Sequence, residues 1–312
     1  MKDTINFMKY TFIFIFILAF VCCACTKSEI KPNDSKVNVT TSIIPLTDLA
    51  KRIGGDKAVV TSIIPPGANP HTFEPSPSQL ANLSKSDIFI FIGLGFEFWK
   101  DKFLNSASNP SIELVELSDG MNILNDASEH SLHEHSHETH GHSHESGNPH
   151  IWLSPRRVLE FLPKMESAFC KAKPQNSTLY KENASKLRDD LLKLDEECKG
   201  LTKDLKNKKF LSQHAAWAYF AEDYGFEQSG IIEEFPGKEP SPAHLKKIID
   251  IAKATNTKVI FTDKQFSPKA AEVVAEDGNL KVVVLDPVGN QDISYIELMK
   301  QNIAKIKQAY GQ

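Results

Sequence analysis

The chain lacks an apolar run long enough to cross a bilayer. Its longest, Phe12 to Val21, is ten residues, about 15 Å as a helix and roughly half of a hydrocarbon core. It also lacks an excess of positive charge. Thirty-six Lys and Arg stand against forty Asp and Glu, for a net charge of −4, and no basic patch with interleaved aromatics offers nucleic acid a surface. Cysteine is scarce outside the first 25 residues: of five, three are Cys22, Cys23 and Cys25, which leaves Cys170 and Cys198. No helix expected from the sequence carries His-Glu-x-x-His, the usual mark of a hydrolytic zinc site; the match at 133–137 lies in a polar stretch without helical periodicity.

What is present begins at the N-terminus. Lys2 and Lys9 precede the apolar run, and Ala24-Cys25 follows it. The length and flanks fit the apolar region of a signal peptide. A cysteine just past that region, after a small residue, resembles a bacterial lipoprotein cleavage site, with Cys25 as the lipidated residue. Cys22, after Val21, is the alternative, and a plain secretory signal is the blander reading. Residues 1–25 are thus read as a signal peptide and 26–36 as a polar tether. Cys170 and Cys198 are read as two buried free thiols, because the helices on either side of Pro174 carry Cys198 far from the break.

Strand-like runs alternate with helical ones. Strands are expected at 37–43, 58–64, 88–93 and 112–117, and again at 209–213, 226–232, 258–262 and 281–285. Helices are expected between them at 46–53, 77–85 and 96–106, then at 215–224, 242–254, 267–277 and 292–309. This alternation predicts an α/β fold with parallel sheets. Between the halves, residues 176–206 carry Leu187, Leu191, Leu194, Leu201 and Leu205 at helical spacing, with one Gly and no Pro. They predict one long amphipathic helix, capped by Asn176 or Ser177. The expected organisation is an N-terminal lobe over 37–174, a linking helix over 175–207 and a C-terminal lobe over 208–312. A rigid helical connector should permit only modest movement between lobes.

Seven of the eleven histidines fall within fifteen residues: His130, His133, His135, His137, His140, His142 and His144. They occupy the middle of 118–149, a polar stretch without periodicity, and a tract of this composition indicates metal binding. Four histidines remain. His71 follows the strand at 58–64, His150 ends the long loop after 112–117, and His214 directly follows 209–213. His244 sits in the first turn of a Pro-started helix and reads as exposed. Asp286 directly follows 281–285 and also fits as the cap of an Asp-Pro turn; Asp263 competes with it as a strand-end carboxylate. In open α/β sheets, ligands bind beyond the carboxyl ends of the strands. Three imidazoles and one carboxylate, two from each lobe, predict a metal site in the cleft. The donor set suits Zn²⁺ and also other divalent first-row ions.

Several segments together resemble one known family. Pro65-Pro-Gly-Ala-Asn-Pro-His71-Thr-Phe-Glu-Pro75, Asn148-Pro-His150-Ile-Trp-Leu-Ser-Pro155, His214-Ala-Ala-Trp217-Ala-Tyr-Phe220 and Asp286-Pro-Val-Gly289 are similar, in this order, to motifs of bacterial zinc/manganese solute-binding lipoproteins of ABC importers, also called cluster A-I or cluster 9. Thr41-Ser-Ile-Ile-Pro45, Ile53-Gly-Gly-Asp56, Gly93-Leu-Gly95 and Glu239-Pro-Ser-Pro242 fit as well, so the resemblance covers about residues 36–310. It implies two (β/α)₄-like lobes bridged by one long helix, with His71, His150, His214 and Asp286 as metal ligands. The family more often has Asp where Asn148 stands. A His-rich loop just before the second ligand, and His rather than a carboxylate at 214, resemble the zinc-uptake branch.

The resemblance implies a non-enzymatic monomer, exported and held at a bacterial membrane by its lipid alone, in the periplasm or at the cell surface. It would bind Zn²⁺ and hand it to an ABC permease, with the His tract as a weaker accessory collector. A manganese-binding member of the same family is the alternative, as is an adhesin or metal buffer. A zinc hydrolase is disfavoured, since Asp286 would close the coordination shell.

Overall fold

The computed structural model describes residues 36–106, 109–125 and 147–311. Cys22, Cys25 and the seven clustered histidines lie outside them.

The first sheet is built from β1 (Val37–Thr41), β2 (Ala58–Ser62), β3 (Ile88–Phe91) and β4 (Glu113–Glu116), with helices α1 (Ile44–Gly54), α2 (Pro77–Leu83) and α3 (Lys100–Ser106) between successive strands. Its strand order is β2-β1-β3-β4 and every pairing is parallel. Two helices follow, α4 (Pro155–Ala172) and α5 (Ser177–Thr202). The second sheet comprises β5 (Lys209–Ser212), β6 (Glu227–Ile231), β7 (Val259–Asp263) and β8 (Lys281–Leu285), with α6 (Ala218–Tyr224), α7 (Pro242–Thr255) and α8 (Lys269–Gly278) between its strands and α9 (Tyr295–Ala309) closing the chain. Its order, β6-β5-β7-β8, repeats that of the first, again wholly parallel.

The central strands explain why the chain folds this way. β3 is Ile-Phe-Ile-Phe and β7 is Val-Ile-Phe-Thr-Asp, and both are buried at every position. A parallel strand covered by helices on both faces needs such an apolar run. β2, at a sheet edge, is half-buried and exposed by turns. In the second sheet Phe210 and Phe261 point into the main core, whereas their neighbours Leu211 and Ile260 join a smaller one with Ile248 and Ile249 of α7 and Ala271 and Val274 of α8. The period-two alternation of a strand separates these two cores.

The main core runs through both lobes. Phe89, Phe161, Tyr180, Leu187, Leu191, Phe210, Phe220 and Tyr295 belong to one contiguous buried cluster. α5 contributes Tyr180, Ala184, Leu187, Leu191, Leu194 and Cys198 at three- and four-residue steps, all buried. At 26 residues it spans about 39 Å. Its start differs from expectation. Asn176 is the N-cap but makes no side-chain cap bond, and its Nδ2 donates to Tyr180 Oη at 3.2 Å.

Hydrogen bonds cross between the lobes. Trp152 Nε1 donates to Pro287 O at 2.7 Å, Tyr295 Oη to Trp152 O at 2.8 Å and Tyr295 N to Asp48 Oδ2 at 2.9 Å. Buried Arg157 pairs with half-buried Asp223, Nε to Oδ2 at 3.1 Å. Cys170 and Cys198 are both free. Cys198 is buried as expected, but Cys170 is only half-buried, since it sits near the helix break with its Sγ 3.9 Å from Ser177 O.

Candidate metal centre

Three loops at the carboxyl ends of the strands converge. The first leaves β2 and carries His71. Gly67, at φ 80°, turns this Pro-rich loop, and the His71 backbone N–H donates to Asn69 Oδ1 at 3.0 Å. The local Asx turn fixes the ring's approach.

His150 enters after β4, just ahead of the short helical turn Ile151–Leu153. Its backbone N–H and its Nδ1 both reach Asn148 Oδ1, at 3.0 and 2.9 Å. An amide oxygen only accepts, so Nδ1 holds the proton and the Nε2 lone pair is free.

His214 comes two residues past the end of β5 and opens the turn Ala215–Trp217. Its Nδ1 lies 2.7 Å from Asp263 Oδ2 at the end of β7, and the other oxygen of Asp263 accepts Trp217 Nε1 at 3.0 Å. Nε2 again faces the cleft. The ring stacks on Phe266, centroids 4.6 Å apart, while Phe96 meets His71 edge-on at 5.4 Å.

Phe96 is placed by the turn Gly93-Leu94-Gly95, all three at positive φ. Buried Glu97 holds that turn by accepting Ile92 N and Gly93 N, each at 3.0 Å. A side chain on Gly93 would collide with Glu116 and Ser118.

The three Nε2 atoms meet. His71 and His150 are 3.1 Å apart and His214 and His150 are 3.2 Å apart. All three donor atoms lie within 4.8 Å of one another. Nitrogens held tetrahedrally about 2.0–2.1 Å from one zinc stand roughly 3.3–3.4 Å apart, so the observed spacing fits one such ion. The rings border a cavity of about 170 Å³, which Leu94, Glu233, Glu234 and Pro236 also line. Burial, reinforced by the neighbouring His214, pushes the His71 pKa down to about 3. Burial, then His214 and His71, holds His150 well below its ordinary value. Both imidazoles are therefore kept neutral, the form that binds a metal.

Asp286 is not brought into this group, so three of the four expected ligands are gathered here. Its Oδ1 accepts Gln265 Nε2 at 3.0 Å, Val288 N at 3.2 Å and Gly289 N at 2.9 Å, and its Oδ2 lies 3.6 Å from Lys264 Nζ. The carboxylate is spent on its own Asp-Pro turn. Asp263, the competing carboxylate, stands behind His214 rather than beside the lone pairs. His244 is tied to its own lobe, with Nε2 3.0 Å from Ile231 O. Sequence reasoning missed Phe96, Phe266 and Glu233. The positions of Phe266, three residues past the end of β7, and of Glu233, two past the end of β6, gave a signal, since residues beyond strand ends border the cleft.

Two parallel-sheet lobes with three imidazoles converging between them define a two-lobed protein built around a cleft for a metal ion. The chain belongs to the family described as zinc-uptake complex component A, periplasmic, which it matches over residues 39–309. It is 31% identical to the high-affinity zinc uptake system protein ZnuA of Bacillus subtilis, over 96% of this chain and 98% of that one. It is 28% identical to the zinc-binding lipoprotein AdcA of Streptococcus pneumoniae, covering 95% of this chain but 60% of that longer protein. A crystal structure of ZnuA superposes with a TM-score of 0.77 at 32% identity, over 89% of this chain and all of that one.

Proposed function

We propose that this chain is the extracytoplasmic zinc-binding component of an ABC importer, with His71, His150 and His214 as the ligands. The carrying observation is the convergence of their three Nε2 atoms at 3.1–3.2 Å steps. The ion is cargo. Neutral His71 and His150 take it from solution without first losing protons, and release follows from separating ligands that belong to different lobes. Three imidazoles are soft enough to favour zinc over manganese.

The membrane permease is the receiving partner, and the lipid on Cys25 keeps the protein beside it. His130, His133, His135, His137, His140, His142 and His144 act as a weaker collector of further ions. The chain is read as a monomer without catalytic activity.

The test is metal analysis of the protein purified without added metal, followed by titration with zinc and manganese in competition with a chelator. One tight zinc site is expected, with weaker manganese binding. Each of His71→Ala, His150→Ala and His214→Ala should weaken the tight site at least a hundredfold. Unchanged tight binding in all three variants overturns the assignment.

A further inference from the structure

Asn148 is 1% exposed and every polar atom it carries is engaged. Its Oδ1 accepts two bonds from His150, at the backbone N–H and at Nδ1. Its Nδ2 donates at 2.6 Å to the carbonyl of Ala215, the residue after His214. Its own carbonyl accepts Tyr219 Oη at 2.7 Å, and its N–H donates to Leu124 O at 2.8 Å. Ala215 and Tyr219 belong to the second lobe, Leu124 and His150 to the first.

Chemistry settles the orientation of the amide. A backbone carbonyl can only accept, so the atom facing Ala215 must be the NH₂ and the atom facing His150 the oxygen. A carboxylate at this position could receive His150 just as well. It could not serve Ala215, because an oxygen would then face an oxygen at hydrogen-bond distance. The side chain that receives one ligand therefore also grips the loop of another across the cleft, and an amide is what permits both.

We infer that Asn148 is a two-sided positioning residue. It holds His150 in the Nδ1–H form with Nε2 turned to the ion, and it registers His150 against the His214 loop. The inference rests on His150 being a ligand. It assigns the two backed histidines different roles. His214 stands against the carboxylate of Asp263, which makes its ring the stronger donor. His150 gives up that gain in donor strength for a bond that keeps the lobes in register. The cross-lobe bond then slows release of the ion, since the ligands separate only after it breaks.

Two variants of the full chain separate the two sides of the side chain. Asn148→Asp keeps the acceptor and loses the donor; Asn148→Leu loses both. The readouts are the imidazole ¹⁵N shifts of His150 in the metal-free protein, which report the tautomer, and the zinc dissociation rate into excess chelator. Asn148→Asp should retain the Nδ1–H tautomer and yet release zinc about fivefold faster, because the lost Ala215 bond and the two oxygens set face to face outweigh the donor strength that a carboxylate adds to His150. Asn148→Leu should shift His150 to a tautomer mixture and weaken zinc binding roughly 10–100-fold. Release from Asn148→Asp as slow as from wild type, or slower, overturns the cross-lobe role. A wild-type His150 tautomer in Asn148→Leu overturns the orienting role. Failure of the ligand assignment shows separately, as wild-type affinity in His150→Ala, and leaves the tautomer readout intact.

Discussion

His214 Nδ1 lies 2.7 Å from Asp263 Oδ2, an ion-pair contact between two buried atoms that have no hydrogen-bond partner among the described residues. A carboxylate behind a ligand histidine fixes its tautomer and raises its basicity. Asp263→Asn keeps the shape and an oxygen for Trp217 but removes the charge. Zinc affinity should fall roughly 10–100-fold, measured by chelator competition, with the far-ultraviolet circular dichroism of wild type. Affinity within a factor of two of wild type would deny Asp263 this part.

Asp286 makes a contrasting case. Its Oδ1 accepts two N–H groups of its own turn, and the following residue receives Trp152 across the lobes. Asp286→Ala should therefore lose stability first, on the order of 1–2 kcal/mol for a lost turn cap and its bonds. Its zinc affinity should fall less than in any of the three histidine variants. Denaturant unfolding and zinc titration on one sample separate the effects. A loss of affinity equal to that of His150→Ala would make Asp286 a full ligand, reached by leaving the bonds it holds here.

Acid should weaken the metal-free protein through these same histidines. The folded-state pKa of His71 is pushed down to about 3 by burial and then by His214, and His150 is lowered for the same reasons. In the unfolded chain both titrate near the ordinary value of about 6.5. Above that pH neither state binds the extra proton and the term vanishes. Below it the unfolded state takes up protons that the folded state refuses, so stability falls with pH, approaching about 1.4 kcal/mol per pH unit for each such group. Urea unfolding in excess chelator at pH 7.5, 6.5 and 5.5 measures the slope. Comparison with His71→Gln isolates one histidine, and equal slopes in the two proteins would contradict the lowered pKa.

Much of this was legible in the chain because the physics is local. The all-apolar runs at 88–91 and 259–261 announce buried parallel strands, and the leucine steps from 187 to 194 announce the long helix. His71, His150 and His214 could be picked out because each lies in a loop that leaves the carboxyl end of a strand, where α/β folds place their ligands. The rest was not local. Asp286 lies within two residues of a strand end, as His214 does, but a competing use, the Asp-Pro turn, holds its carboxylate. Asn148 reads as a departure from a motif until Ala215, 67 residues away, shows what the amide does. Partners of that kind are set by how the lobes meet, which no short window of sequence contains.

The base of the histidine segment bears on its removal. Asn148 N donates to Leu124 O at 2.8 Å, and Tyr219 Oη accepts Leu124 N at 3.2 Å while donating to Asn148 O at 2.7 Å. Residues 124 and 148 are thus neighbours held by one tyrosine, and the bonds that position His150 are complete without any of residues 130–144. Deleting 130–144 leaves both anchors and a short stretch of chain to join them. The tight zinc site should persist within about threefold, because its three nitrogens and the groups behind them are untouched. The additional, weaker zinc equivalents should disappear from the titration, since an imidazole tract of this kind binds further ions in its own right. Loss of the tight site would show that the segment supplies a ligand. Persistence of the weak equivalents would show that they bind elsewhere on the protein.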